Sequence, residues 1–110
     1  MKLAAVVADL MMYSRIEAVA SAAGAGLVRV DTPAELPPPG ELDLVLIDWS
    51  ARHPDWAQAI RGWLGSNTSA RVIMFGRHTD LVAHREARAA GLGPMVARSK
   101  LISDLARLID

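Results

Sequence analysis

The sequence predicts an α/β fold, a three-layer, doubly wound sheet of five parallel strands in the order 2-1-3-4-5, with the second crossover helix short or irregular. Three observations carry that expectation. Five short runs rich in Val and Ile recur along the chain; helical patterns fill most of the gaps between them; and the runs are almost continuously apolar rather than alternating. Strands that are apolar on both sides belong in a sheet covered on both faces, which is the condition of parallel sheets. Right-handed crossovers then favour double winding.

Taken in order, the expected strands are LAAVVA (3 to 8), GLVRV (26 to 30), DLVLID (43 to 48), RVIMFG (71 to 76) and PMVAR (94 to 98). After the first, Met12, Ile16, Val19 and Ala23 recur at helical spacing and lay one stripe on the sheet. Trp56, Ile60, Trp63 and Leu64 do the same after the third strand. A third helix spans about 79 to 90, with Thr79 as N-cap, Ala83, Ala87 and Ala90 as a slim packing face, and Gly91 as the stop. A last helix from Ser99 gathers Leu101, Leu105, Leu108 and Ile109 and runs to the C-terminus. Between the second and third strands, DTPAELPPPGEL can open a helix at Thr32 and Pro33, but Pro37, Pro38 and Pro39 stop it within about a turn.

With 110 residues, 52% of them hydrophobic, the chain has material for one domain, residues 1 to 110, and its core. The absence of cysteine removes disulfides, thiolate metal sites and thiol nucleophiles, and fits the cytoplasm. Asp9 interrupts the N-terminal apolar stretch too early for a signal-peptide core or a membrane span. Net charge is zero, which gives no general attraction to nucleic acid or an anionic membrane. The halves differ, however: residues 1 to 55 hold four bases against eight acids, and residues 56 to 110 hold eight against four. That leaves an acidic region and a basic one, or simply scattered solvated side chains.

The expected topology places ligand chemistry outside the carboxyl ends of the strands, where the winding reverses between the first and third. Asp9 and Asp48 end those two strands. Two carboxylates at one rim repel, and a hard divalent cation such as Mg²⁺ relieves the repulsion, with the backbone carbonyl of Ser50 and water completing an oxygen shell. Equally ordinary roles exist for each residue alone: Asp9 as a helix cap and Asp48 as the start of a turn.

In strand count, helix count and the position of DLVLID48, the whole chain resembles the receiver domains of bacterial response regulators, a flavodoxin-like family. The resemblance implies that Asp48 matches the phosphoacceptor and that acids after the first strand hold Mg²⁺. Here that acid pair reads Ala8-Asp9. Receivers carry Ser or Thr at the end of the fourth strand, where this chain has Gly76, and Lys after the fifth, where it has Arg98 followed by Ser99 and Lys100. Arg98 and Lys100 are thus the candidate anion-neutralising groups, although a guanidinium does not reproduce the geometry of a lysine. The resemblance also implies a partner or dimer surface near Arg85, Arg88 and Arg107, and Trp49 beside Asp48 is either a further candidate contact or a lid folded down over the strand ends.

Other features point to less. His78, Asp80 and His84 supply too few ligands for a structural zinc, and His53 before Pro54 marks a helix start. Trp56 and Trp63 fit a helix core face better than a base-stacking platform. Motifs of hydrolases, P-loop NTPases and dinucleotide-binding enzymes are missing, which weighs against an enzyme. The expected function is a stand-alone, atypical receiver-like (pseudo-receiver) signalling module acting mainly through protein–protein interaction. Its partner would be a histidine kinase or another signalling protein, or a second copy in a homodimer, with no direct contact to nucleic acid or membrane. The departures at Ala8, Gly76 and Arg98 weigh against phosphorylation of Asp48 as its switch. The alternative is a small flavodoxin-like domain that binds a ligand or carries a catalytic site at the same rim.

Overall fold

A computed structural model describes residues 1–65 and 69–109. The elements are β1 (Lys2–Val6), α1 (Leu10–Ala22), β2 (Gly26–Val30), β3 (Leu44–Asp48), α2 (Trp56–Leu64), β4 (Arg71–Gly76), α3 (Leu81–Ala89), β5 (Val96–Ala97) and α4 (Arg98–Ile109). All pairings are parallel, and the five-stranded sheet has the order β2-β1-β3-β4-β5. This is the doubly wound arrangement expected from the sequence.

Side-chain parity along the strands sorts the core into two layers. Leu3, Ala5, Leu44, Leu46 and Phe75 face α1 and α4, where they meet Met12, Ile16, Ala20, Leu101, Leu105 and Ile109. Ala4, Val6, Val45, Ile47 and Met74 face the other way, onto Trp56, Ile60, Ala83 and Ala87 of α2 and α3. Ala83 and Ala87 form the slim face of α3 as expected, whereas Ala90 is its half-buried C-cap and lies outside the core.

Several boundaries differ from the sequence reading. β1 stops at Val6, because Asp9 serves as the N-cap of α1 rather than as a strand residue. Ala20 takes the core position that Ala23 was expected to fill, since Ala23 is already the C-cap. Asp80, not Thr79, caps α3, accepting from the Ala83 amide, and Gly91 follows the helix at φ 75°. A carboxylate one residue nearer the first turn makes the better acceptor there. β5 is only two residues long because α4 begins at Arg98, one residue before Ser99. The expected continuation of that helix to Asp110 lies outside the described residues.

The proline-rich crossover forms two 3₁₀ turns, Pro33–Glu35 and Pro39–Glu41, in place of a helix. Trp63 pins it by donating its indole N–H to the Pro37 carbonyl at 2.7 Å. Leu36 packs into the same core layer. The sheet is therefore covered on this side by a strap rather than by a full helix.

Candidate functional site

The carboxyl edge of the sheet carries the site because the strand ends, helix caps and charged residues converge there. Asp48 has the parity of Leu44 and Leu46, so its side chain leaves the sheet on the side of α1 and α4. On that side lie the N-cap of α1, Asp9, and the first residue of α4, Arg98. A cavity of about 340 Å³ opens between them, lined by Asp9, Asp48, Ser50, Arg77, Asp80 and Arg98.

The two carboxylates divide their oxygens in the same way. Asp9 Oδ1 accepts from the Met11 and Met12 amides at 3.0 and 3.2 Å, and Asp48 Oδ1 accepts from the Ser50 amide at 3.1 Å. Each Oδ2 is left for Arg98: Nη2 lies 3.3 Å from Asp48 and Nη1 lies 3.7 Å from Asp9. The guanidinium bridges the pair. Both ordinary roles, the helix cap and the turn, are thus filled together with the rim constellation.

Among the described residues Asp48 is the buried polar one, with a side chain 4% exposed against 43% for Asp9. Burial pushes its carboxyl above the usual carboxylate range; Arg98 and the Ser50 amide oppose that shift, while Asp9 adds to it. Holding an ionised Asp48 in place therefore depends on Arg98. The Arg98 Nε is itself buried with no hydrogen-bond partner among the described residues, a cost set against the double bridge.

For Mg²⁺ the fit is poor. A divalent cation ligated by both Asp9 and Asp48 would have to displace a guanidinium already shared between their free oxygens. Among the described residues no group of three or more His, Asp or Glu side chains converges. Position 8 is Ala and adds no carboxylate beside Asp9, and the third acid lining the cavity, Asp80, gives an oxygen to the Ala83 amide. His78, Asp80 and His84 likewise form no cluster, and Asp80 is committed to its cap.

Other expected residues fall in different places. Lys100 does not line the cavity: it pairs with Asp104 one turn along α4, at 3.0 Å, because a helical side chain reaches its i+4 neighbour sooner than it folds back. Arg107 pairs with the same Asp104. Trp49 is not an exposed anchor but is 2% exposed, closing the core at the strand end, and its indole N–H donates to the Ala83 carbonyl at 3.1 Å. Arg85 and Arg88 are exposed on α3 and make no ion pair among the described residues. His53 stacks at a tilt near Trp56.

Three contributions were not foreseen. Arg52 reaches across to Glu86 of α3 at 2.6 Å, and this bond holds the Glu86 carboxyl below its usual range. Arg77 lines the cavity. The Ser50 hydroxyl, rather than its carbonyl, enters the network by accepting the Arg77 amide at 3.1 Å. A glycine ending a strand was the available signal, because it marks a place where another group approaches closely.

Fold and site together define the class: a flavodoxin-like α/β domain with a charged cluster at the carboxyl rim of its sheet. No family model, curated protein or solved structure matches the chain. Among the described residues no helix is long and apolar enough to cross a membrane.

Proposed function

We propose that the chain is a receiver-like interaction module whose acidic site is neutralised from within, so that it presents one surface without a phosphorylation switch. The observation that carries this reading is the Arg98 guanidinium shared between Asp9 and Asp48. Phosphoryl transfer to a carboxylate needs positioned cations to offset its charge. Here the cation is part of the chain and is held by both acids. A ligand shifts a conformational equilibrium only through differential contacts, and a site already bridged has fewer to offer.

The surface that would meet a partner is the outer stripe of α3. Leu81, Arg85 and Arg88 follow one another at helical spacing, with Val82 beside them, opposite the buried Ala83 and Ala87. Leu81 and Val82 are 68% and 50% exposed. Trp49 holds the inner side at Ala83 and Arg52 holds the flank at Glu86, so little ordering cost remains on binding. Unpaired arginines beside exposed aliphatic side chains suit an amphipathic segment bearing acidic residues.

The test uses a helical model peptide with leucines on one face and glutamates beside them. Titrated against the protein and followed by amide chemical shifts, it binds through α3, and Arg85→Glu with Arg88→Glu weakens it at least tenfold. Beryllofluoride with Mg²⁺ leaves both the spectrum and the binding unchanged. A beryllofluoride response abolished by Asp48→Asn would instead make Asp48 a working phosphoacceptor.

A further inference from the structure

We infer that Ser50 is a positioning residue: its hydroxyl occupies the space of the side chain that Gly76 lacks and latches the turn after β4 to the turn that carries Asp48. The interest of this latch rests on the reading of α3 as the presented surface, but its existence does not.

Gly76 is not required for backbone conformation, since its φ lies outside the range that favours glycine. Space is the reason. A Cβ at position 76 would collide with Ser50 Oγ and come within 3.0 Å of Met95 Sδ and 3.2 Å of Met95 Cε. The oxygen standing there is put to use, because it accepts the Arg77 amide at 3.1 Å. Ser50 is fixed in turn by its own amide, which donates to Asp48 Oδ1 at 3.1 Å.

From Arg77 the connection continues into α3. The Arg77 carbonyl accepts the Asp80 amide at 3.1 Å, and the Asp80 carboxylate accepts the Ala83 amide at 3.0 Å. The Ala83 carbonyl then accepts the Trp49 indole N–H at 3.1 Å. Trp49 is the residue next to Asp48, so the hydrogen bonds form a closed circuit through Asp48, Ser50, Arg77, Asp80, Ala83 and Trp49. Its weakest place is the Ser50–Arg77 bond, where a hydroxyl that can rotate away joins two loops. A hydroxyl at the end of β4 would belong to the strand; on the Asp48 turn it ties the start of α3 to the site.

This predicts a coupling that two unrelated substitutions share. Ser50→Ala removes the acceptor, and Gly76→Ala displaces it, so each should speed hydrogen exchange of the Arg77 amide about tenfold, the loss of one hydrogen bond. In Ser50→Ala/Gly76→Ala the effects should not add, because both act on one contact. Gly62→Ala, at a position with open space around its Cβ, serves as a control and leaves Arg77 at the wild-type rate. Residue-resolved exchange on the full chain, without any peptide, is the measurement. If Ser50→Ala leaves Arg77 at the wild-type rate, or if the two single effects multiply, the latch is refuted. Should Gly76→Ala prevent folding, Ser50→Ala alone decides. Failure of the acidic peptide to bind while these rates behave as described would refute the α3 surface and leave the latch standing.

Discussion

Asp9 and Asp48 make the same two kinds of contact, yet they sit in different solvents. Each gives Oδ1 to the amides of the turn that follows it and Oδ2 to Arg98. Asp9 does so at the surface, where water shares the load; Asp48 does so at the sheet edge with its side chain nearly buried, where the protein carries most of it. The site turns on Asp48. For Asp9 the main return is a capped helix, whereas Asp48 is a buried charge whose tolerance depends on its counterion.

The largest effect should come from removing what the two share. Arg98→Ala leaves both carboxylates facing each other without a cation, and we expect a loss of about 2 kcal/mol, less than for a fully buried pair because Arg98 is partly exposed. In thermal unfolding that corresponds to a drop on the order of 10 °C. Asp9→Ala comes next, at about 1 kcal/mol, the worth of an N-cap. Equal losses from Asp9→Ala and Arg98→Ala would show that the cap outweighs the bridge.

Asp48→Asn sharpens the contrast because its sign is opposite. The folded state binds a proton at Asp48 more tightly than the unfolded state, since burial raises its pKa. Stability therefore falls as pH rises from the ordinary carboxylate range through the raised value, and stays lower above it. At neutral pH the asparagine variant should melt a few degrees higher, roughly the effect of a fraction of a kcal/mol to one kcal/mol. That advantage should close on acidification, where the wild-type residue is neutral in both states. A variant that melts lower at every pH would mean that the Arg98 bridge outweighs the burial cost.

A loss of comparable size concerns the residue beside Asp48. Trp49→Phe keeps the ring in the core but leaves the Ala83 carbonyl without its donor, a loss of about 1 kcal/mol in chemical denaturation. Exchange at the start of α3 should rise with it.

Much of this was legible in the residues themselves. Strand runs and helical spacings fix the sheet order, and matched acids at two strand ends point to the rim, because these depend on local pattern and on handedness rules. Which of its two readings Trp49 takes was not legible, since its burial depends on the distance to α3 rather than on its neighbours in sequence. The same holds for Lys100, whose nearest acid lies on its own helix. That Arg98 would span both acids follows from α4 starting one residue earlier than the sequence suggested, which brings that side chain to the sheet edge. Gly76 reads as a loss in sequence; in space it is half of a contact whose other half is Ser50.

On the proposed reading, Arg98 takes the place of a divalent cation between Asp9 and Asp48. Thermal unfolding of the wild type and of Arg98→Ala, each with and without millimolar Mg²⁺, tests it most directly. We expect the wild-type midpoint to stay where it is and the Arg98→Ala midpoint to rise by several degrees with Mg²⁺, since a cation that binds only the folded state stabilises it by mass action. A wild-type midpoint that climbs with Mg²⁺, and stops climbing in Asp48→Asn, would contradict the claim.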